Sequence, residues 1–357
     1  MLRKSARPGN GEKLSCSGWM AAFVLVLMLG CSFPGPVLAG EPAAPGGRAP
    51  RRVLVLAYAR PFLKAADGLK AGLRQLGLKP HREVVFTVHE LNRDLARIGQ
   101  LLPEKMGSPE KNWDLIYTIT TPVTLAVKKI VEERGLQIPV VFVVVADPEG
   151  SGVVADLRRP GGWFTGISHS SLELLPQRLL LFREAFPKMR RLLVFFNPDE
   201  EISRRSYDSP LLHRAARDCG VELVACRVRN GDELERQCAR LRSRPGSVDG
   251  IFMLPDPFSV AHYGSLLKLS RGLKLPLMVI DNVLLQQGGV LGYSPDFYDV
   301  GSQSATLVKH VLAGIPPGEI PVQNADRVKL VVSLREARAL GLRPSPRILL
   351  RADEVLR

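Results

Sequence analysis

Short apolar runs alternate with amphipathic stretches along most of the chain. Residues 52–57 (RVLVLA) are typical of a β-strand, and the amphipathic stretch 64–76 that follows predicts a helix ending at Gly77. Residues 139–146 (PVVFVVVA) are nearly all β-branched, as expected of a strand buried on both faces. The same pattern predicts strands at 114–120, 191–196, 221–226, 250–254 and 275–280, and helices at 121–134, 172–186, 211–219, 232–241 and 258–273.

Regular alternation of strand and helix predicts an α/β fold in which parallel sheets carry helices on both faces. A Gly/Pro-rich break at 158–166 (RRPGGWFTG) interrupts the alternation, and two sheets are expected rather than one very wide sheet. We therefore predict two doubly wound lobes with a seam near Gly161 and a cleft between them. Because ligands of open α/β sheets bind beyond the carboxyl ends of the strands, residues directly after each strand are the functional candidates.

The first 39 residues are predicted to be a secretory signal. Residues 1–18 are polar and basic, and residues 19–30 (WMAAFVLVLMLG) are uncharged and mainly apolar. A transmembrane helix needs roughly 20 apolar residues, so this run is too short to span a membrane in the ordinary way. A basic start, a short apolar core and a small-residue exit are together typical of an exported protein.

Two processing sites are compatible with this leader. Val37, Leu38 and Ala39 predict cleavage before Gly40, whereas residues 28–31 (MLGC) resemble a lipoprotein box in which Cys31 would be lipidated. Cleavage before Gly40 is favoured because Met28 and Leu29 match the lipoprotein box poorly. In both cases residues 40–50 (GEPAAPGGRAP) are expected to be a flexible tether before the folded part.

Composition and charge narrow the class of protein. The chain of 357 residues is 45% hydrophobic and 24% charged, which is typical of a globular domain and not of a disordered or multi-span membrane protein. The formal net charge is +14, and the leader carries only four of the basic residues. The basic clusters lack interleaved aromatic residues, so no nucleic-acid partner is predicted.

Five cysteines are present, and three of them (Cys219, Cys226 and Cys238) remain after cleavage at Ala39. Their spacing matches no zinc motif, so we expect free thiols with at most one disulfide.

A threonine-rich helix start is the sharpest local signal. Thr120, Thr121, Pro122 and Thr124 directly follow the strand predicted at 114–120. Thr121 is a suitable N-cap and Pro122 a suitable first helical residue. Free N–H groups at such a start favour a carboxylate or another anion, and the hydroxyls add further hydrogen-bonding groups. The alternative is an ordinary capped helix without a ligand.

Polar residues follow four further predicted strands. Asp147, Asp256 and Asp281 come at or shortly after the strands that end near residues 146, 254 and 280, and Asn197 follows the strand at 191–196. A carboxylate at the mouth of a parallel sheet can bind an ammonium or hydroxyl group, but each residue can equally cap the next helix. Together the three Asp residues favour a polar pocket, to which Tyr293 can add an aromatic wall.

Motifs of catalysis and cofactor binding are missing from the sequence. The turn after the first strand lacks GxGxxG, and neither GxxxxGK[ST] nor HExxH nor GxSxG occurs. The six histidines are scattered. The run 168–171 (SHSS) suggests a nucleophile and base, but neighbouring residues of a strand point apart. We therefore predict that the protein binds no cofactor, has no metal site and is not an enzyme.

Several motifs together resemble one known family, over essentially the whole of 52–357. They are TTPVTLA (120–126), IPVVF (138–142) with ADP (146–148), FTGIS (164–168), YSPDF (293–297), LAGIPP (312–317) with IPV (320–322), ARALGL (337–342) and RADEV (351–355). The chain resembles the substrate-binding components of ABC transporters of the tryptophan/tyrosine type, which have the type I periplasmic-binding-protein fold.

That resemblance implies three crossovers between the lobes, near Thr165, Asp281 and Pro321. The first lobe would then take 51–165 and 283–320, and the second would take 166–282 and 321–357.

The resemblance also implies a function. The protein would be a monomeric periplasmic receptor that binds a small amino-acid-like solute, aromatic or branched, by closing about a hinge. It would then deliver this solute to an ABC permease. The Thr120–Thr124 region would take the carboxylate, Asp281 or Asp147 the ammonium group, and Tyr293 or Phe258 would line the side-chain pocket. Contact with the membrane would come only through a lipid on Cys31. The alternatives are a receptor that presents its ligand to a signalling protein and, from a different class, an exported enzyme.

Overall fold

Two sheets, one in each lobe, organise the chain. The computed structural model describes residues 49–79, 82–105, 107 and 112–357, and Arg48–Arg357 forms one compact unit. The predicted signal segment, Cys31 and most of the predicted tether lie outside the described residues. In the described part no helix is both long and apolar enough to cross a membrane.

The first lobe is built on a six-stranded parallel sheet. Its spatial order is β11-β5-β4-β3-β1-β2. The strands and main helices of this lobe are β1 (Arg51–Ala57), α1 (Leu63–Gln75), β2 (Val84–Glu90), α2 (Ile98–Leu101), β3 (Leu115–Ile119), α3 (Thr121–Glu133), β4 (Val140–Val145), β5 (Phe164–Ser168), α11 (Phe297–Leu312) and β11 (Gln323–Asn324).

The second lobe is built on a seven-stranded sheet of order β13-β12-β10-β9-β8-β6-β7. Its elements are α4 (Leu175–Ala185), β6 (Arg191–Phe196), α5 (Glu201–Tyr207), α6 (Pro210–Asp218), β7 (Glu222–Arg227), α7 (Gly231–Arg242), β8 (Gly250–Phe252), α8 (Pro257–Ala261), α9 (Tyr263–Leu273), β9 (Leu277–Val279), α10 (Asn282–Gln287), β10 (Leu291–Pro295), β12 (Val328–Ser333), α12 (Leu334–Ala339), α13 (Pro346–Arg351) and β13 (Glu354–Leu356). The pair β10–β12 is antiparallel, an exception to the all-parallel expectation.

Both faces of each sheet are buried, which explains the uninterrupted apolar runs. In β1, Val53 and Val55 pack into one core cluster, while Leu54 and Leu56 pack into a second cluster on the opposite face. Alternate side chains of a strand point to opposite faces, so a strand between two helical layers needs apolar residues at every position. The predicted α/β class with two lobes is confirmed.

The boundaries between the lobes differ from those expected. The strand β5 belongs to the first sheet, so the first crossover follows Ser168 and not Gly161 or Thr165. The strand β10 pairs with β9 and β12 of the second sheet, so the second crossover follows Pro295 instead of Asp281. The third lies between Asn324 and Val328, slightly after Pro321.

Helix α11 returns the chain to the first lobe by packing closely on α1. A Cβ at Gly301 would lie 1.9 Å from the Ala65 carbonyl oxygen, and one at Gly68 would lie 2.0 Å from the Tyr298 carbonyl oxygen. The two helices therefore touch backbone to backbone, which is why glycine is needed at both positions. This packing holds α11 in the first lobe, where the family resemblance implied that 283–320 would lie.

Candidate ligand-binding cleft

Three neighbouring strands of the first sheet end side by side. The Thr120 N–H after β3 donates to the Val143 carbonyl (3.0 Å), and the His169 N–H after β5 donates to the Val145 carbonyl (2.7 Å). These bonds hold the segments that follow β3, β4 and β5 at one edge of the sheet. Because this is the carboxyl edge, it is where ligands of open α/β sheets bind.

The three threonines at the start of α3 have different environments. Thr120 occupies the N-cap position, one residue before the Thr121 predicted for it, and its side chain does not cap the helix. The Thr121 hydroxyl accepts a hydrogen bond from the Ala146 N–H (3.2 Å), and the Thr124 hydroxyl donates to the Thr120 carbonyl (2.9 Å). Among the described residues the buried Thr120 hydroxyl has no partner, so it is the one available to a ligand. Pro122 is the second helical residue and not the first.

Backbone strain is concentrated at this edge. Thr120 (φ 91°), Val144 (φ 59°) and Ser170 (φ 49°) all adopt positive φ at or after the ends of adjacent strands. Such a conformation costs a residue other than glycine roughly 1–3 kcal/mol, and it tends to cluster at functional sites. The strain supports the assignment of this edge as a binding surface.

The predicted residues of the second lobe are engaged in local turns. Asn197 accepts a hydrogen bond from the Asp199 N–H (3.0 Å), as in an Asx turn. Asp256 caps α8 through the Ser259 N–H (2.7 Å), and Asp281 caps α10 through the Leu284 N–H (2.8 Å). The capping interaction that the sequence left as an alternative is thus present for both carboxylates.

Burial changes the protonation of these carboxylates. It raises the pKa of Asp256 to about 7, although hydrogen bonds from Ser259 and Ser203 oppose the change. Burial also raises the pKa of Asp281, and the nearby Arg178 cation partly opposes this. Asp281 therefore sits beside a buried positive charge.

Arg178 is a fully buried cation that sequence reasoning missed. Its Nε donates to the Tyr293 carbonyl (2.8 Å), Nη1 to the Ser171 carbonyl (3.1 Å) and Nη2 to the Ile280 carbonyl (2.9 Å). Burial lowers the pKa of Arg178 to about 10, so it keeps its charge at neutral pH. The sequence contained one indication of this role: Arg178 falls on the same face of α4 as leucines that are buried.

His169 and Ser171 contact each other within the run 168–171, where the sequence did not favour catalysis. The His169 Nδ1 lies 2.8 Å from the Ser171 hydroxyl. Burial, and then the charge of Arg178, lowers the pKa of His169 to about 3, so the imidazole is neutral and a very weak base. A general base needs a pKa near the working pH, so this pair is a poor catalytic dyad.

The candidate aromatic residues pack against the cores of both lobes. Tyr293 packs against the core of the second lobe, and Phe258 is buried in the same lobe with its ring 4.5 Å from that of His262. Tyr58 and Phe62 follow β1, and the Phe62 ring lies 5.2 Å from that of Phe297.

A cleft of about 330 Å³ lies between the lobes and opens to solvent. Its lining residues are Leu125, Gly150, Ser151, Glu200, Glu201, Ile202 and Pro257. Beside it, Arg205 of α5 forms an ion pair with Asp147 (3.1 Å). The carboxyl edges of the two sheets therefore face each other. Thr120, Thr121 and Asp147 belong to the first lobe, and Asn197, Asp256 and Asp281 to the second, but none of the six is among the described residues that line this cleft.

In the described part of the chain, no three His, Cys, Asp or Glu residues are placed to hold a metal ion. Cys219, Cys226 and Cys238 are free thiols there.

Comparison with known proteins places this architecture in a family. A family model described as ABC transporter substrate binding protein matches residues 53–356. A tyrosine-binding protein from Clostridioides difficile (strain R20291) is 25% identical over 280 residues, which is 78% of this chain and 77% of that protein.

Solved structures show the same fold. A conserved domain protein from Vibrio cholerae is similar with a TM-score of 0.69 at 25% identity, over 85% of this chain and 99% of that one. An ABC domain from Streptococcus pneumoniae in complex with L-Trp has a TM-score of 0.69 at 21% identity, over 86% and 100% of the two chains. A ligand-free, open substrate-binding protein with adhesive properties from Clostridium difficile has a TM-score of 0.63 at 20% identity, over 86% and 99%.

Proposed function

This chain belongs to the ABC transporter substrate-binding protein family, and we propose that it captures an aromatic amino acid between its lobes and delivers it to an ABC permease. The relatives named above are described as a tyrosine-binding protein and as a domain bound to L-Trp, which favours an aromatic ligand. They are binding proteins and not enzymes, and a non-catalytic role agrees with the depressed pKa of His169. The predicted leader would place this receptor in the periplasm, where it would act as a monomer; a lipid on Cys31 would anchor it if cleavage before Gly40 does not remove that residue.

The observation that carries this proposal is the environment of Thr120. Its buried hydroxyl has no partner among the described residues, and it stands at the N-terminus of the 13-residue helix α3. The first N–H groups of a helix have no intrahelical acceptor and lie at the positive end of its dipole. A ligand carboxylate placed there would receive hydrogen bonds from both sources.

The ammonium group would face the second lobe. Asp281 would pair with the ligand ammonium while Leu284 keeps its hydrogen bond to Oδ1. Contacts shared between the two lobes would favour the closed arrangement, because a ligand shifts a hinge equilibrium only by its differential affinity for the two states. The ion pair between Asp147 and Arg205 supports closure, since it joins the lobes at the cleft.

Isothermal titration with L-tyrosine and L-tryptophan tests this assignment. Thr120→Val removes the hydroxyl but keeps the shape, and Asp281→Asn removes the charge but keeps an oxygen for the helix cap. We expect each variant to bind at least about tenfold more weakly, which corresponds to roughly 1.4 kcal/mol.

Matched changes at the exposed Thr306 and Asp67, Thr306→Val and Asp67→Asn, should leave the affinity unchanged. Wild-type affinity in both cleft variants would refute this placement of the ligand.

A further inference from the structure

His169 is a buried imidazole with one nitrogen unused. Its Nδ1 is bonded to the Ser171 hydroxyl, whereas Nε2 has no hydrogen-bond partner among the described residues. The residue is only 6% exposed. Buried polar atoms in native proteins are nearly always paired, so this ring nitrogen is free to form a hydrogen bond with a group from outside the chain.

The unpaired nitrogen is not isolated. Other buried oxygens without a partner in the described structure also lie at or after the carboxyl ends of strands: Thr120 Oγ1, Ser170 Oγ, Asn282 Oδ1 and Ser294 Oγ. His169 itself directly follows β5, at the first crossover between the lobes. His169 therefore lies at the same carboxyl edge of the first sheet as Thr120, with β4 between the two strands that precede them.

One aromatic ring lies beside this imidazole, and two more extend from it in a row. The Phe297 ring lies 5.9 Å from the His169 ring and 5.2 Å from the Phe62 ring, and Tyr58 continues the row at 6.5 Å from Phe62. Aromatic rings pack favourably at such separations. A row of rings that ends at one hydrogen-bonding nitrogen suits a ligand side chain that is planar and carries a polar group at its far end.

The charges near His169 restrict which polar group the ligand side chain can carry. Arg178, through its bond to the Ser171 carbonyl, places a buried cation close to His169, and this charge favours the neutral imidazole. A cationic side chain would therefore be repelled. An uncharged hydroxyl can donate to or accept from a neutral imidazole, whichever tautomer is present.

We propose that His169 is a specificity-determining residue whose Nε2 hydrogen-bonds the phenol hydroxyl of a bound aromatic amino acid. This inference rests on the proposed function, and it adds the residue that distinguishes a hydroxylated ring from a plain one. A site built around such a bond disfavours the ligand that lacks the hydroxyl, because the buried nitrogen is then left unpaired.

Two substitutions separate ligand binding from a structural role. In His169→Asn the side-chain amide replaces the Nδ1 group that bonds Ser171, whereas in His169→Gln the amide reaches toward the Nε2 position. Affinities for L-tyrosine and L-phenylalanine are measured by titration for the wild type and for both variants. We expect the wild type to prefer L-tyrosine at least about tenfold, His169→Asn to lose that preference, and His169→Gln to keep part of it.

A spectroscopic measurement covers the case in which a variant does not fold. On addition of L-tyrosine, the ¹⁵N resonance of His169 Nε2 in the wild-type protein should shift, whereas that of the exposed His310 should not. L-phenylalanine should produce a much smaller shift at His169.

The outcomes distinguish the two proposals. If the wild type binds L-tyrosine but His169→Asn keeps the full preference, or the His169 resonance does not move, the assignment of His169 is wrong and the proposed function stands. If the wild type binds neither amino acid, nor L-tryptophan, both are wrong.

Discussion

Arg205 and Asp147 join the two lobes through one ion pair, with Nη1 of Arg205 3.1 Å from Oδ2 of Asp147. The other carboxylate oxygen of Asp147 accepts a hydrogen bond from the Gly150 N–H (2.8 Å). Asp147 therefore has one oxygen fixed within its own lobe and one directed at the other lobe. This arrangement makes it a contact between lobes at the edge of the cleft, in competition with the ammonium-binding role expected from the sequence.

Removal of this ion pair should weaken ligand binding without unfolding the protein. Partly exposed pairs contribute about 0.2–1 kcal/mol, so Arg205→Ala should lower the affinity for an aromatic amino acid by roughly two- to fivefold. Wild-type affinity should also fall between about 50 and 500 mM NaCl, because salt screens the pair, and the variant should lose most of that dependence. Arg229→Ala, which breaks the exposed Arg229–Asp199 pair within one lobe, is the control. Equal salt dependence in wild type and Arg205→Ala would contradict the prediction.

Gly150 should tolerate no side chain while the ion pair is formed. A Cβ at this position would lie 2.0 Å from Arg205 Nη1 and 2.1 Å from Asp147 Oδ2, and its φ is not in the left-handed region. Gly150→Ala should therefore reduce affinity as much as Arg205→Ala, with little change in melting temperature.

The double variant of Gly150→Ala and Arg205→Ala should be no worse than either single variant, because both remove the same interaction. Additive losses in titrations of all three variants would show that Gly150 acts elsewhere.

Asp256 should make the stability of the protein depend on pH. Its pKa is about 7 in the folded state against 3.8 for the ordinary carboxyl group. A raised folded-state pKa means that stability is full below about pH 3.8 and is lost as the pH rises toward 7. Asp256→Asn carries no charge and keeps an acceptor for the Ser259 N–H, so it should avoid this loss.

Thermal unfolding at pH 5 and pH 8.5 measures the effect. We expect Asp256→Asn to raise the melting temperature by roughly 3 °C more at the higher pH than at the lower one. Asp67→Asn, at an exposed position on α1, should show no such difference. A melting temperature equally affected at both pH values would mean that Asp256 is already ionised in the fold.

Arg178 should be essential for stability. Arg178→Met would leave the carbonyls of Ser171, Ile280 and Tyr293 without their donor, and would leave Asp281 without its neighbouring cation. Loss of one partner in such a buried network costs about 3–5 kcal/mol. Urea unfolding should show a decrease of that size, and Arg178→Lys a smaller one. The exposed Arg217→Met serves as control, and a midpoint unchanged in Arg178→Met would disprove the role.

The sequence predicted the order of elements well where apolar runs are continuous. The strand at 191–196 is observed with the same bounds, and the helix predicted at 121–134 is observed as Thr121–Glu133. Strand β2 (Val84–Glu90) was missed although it begins with the strand-type run 84–88 (VVFTV); it is an edge strand, only half-buried, and ends in polar residues. The helix predicted at 258–273 is divided into α8 and α9 at His262.

The sequence pattern predicted where polar residues of the site lie, but not which groups they would bind. The polar residues after the strands were found because their place follows from the fold class. Whether Asp256 and Asp281 cap helices or meet a ligand depends on where the next N–H groups lie, and both residues cap. The sequence alone did not single out His169 as a ligand contact, because that inference depends on two neighbours that are distant in the chain. These are Phe297, just after the second crossover, and Arg178 of α4.

What the sequence determined by itself is therefore local: strand and helix periodicity, two sheets, and polar residues at the carboxyl ends of strands. These follow from short-range geometry and from the requirement that apolar side chains be buried. The family resemblance had already implied that α11 belongs to the first lobe, but only the tertiary structure decided that β10 pairs in the second sheet and that Arg205 meets Asp147. Such contacts join residues far apart in the chain, and their free energies depend on distances and burial that no single segment contains.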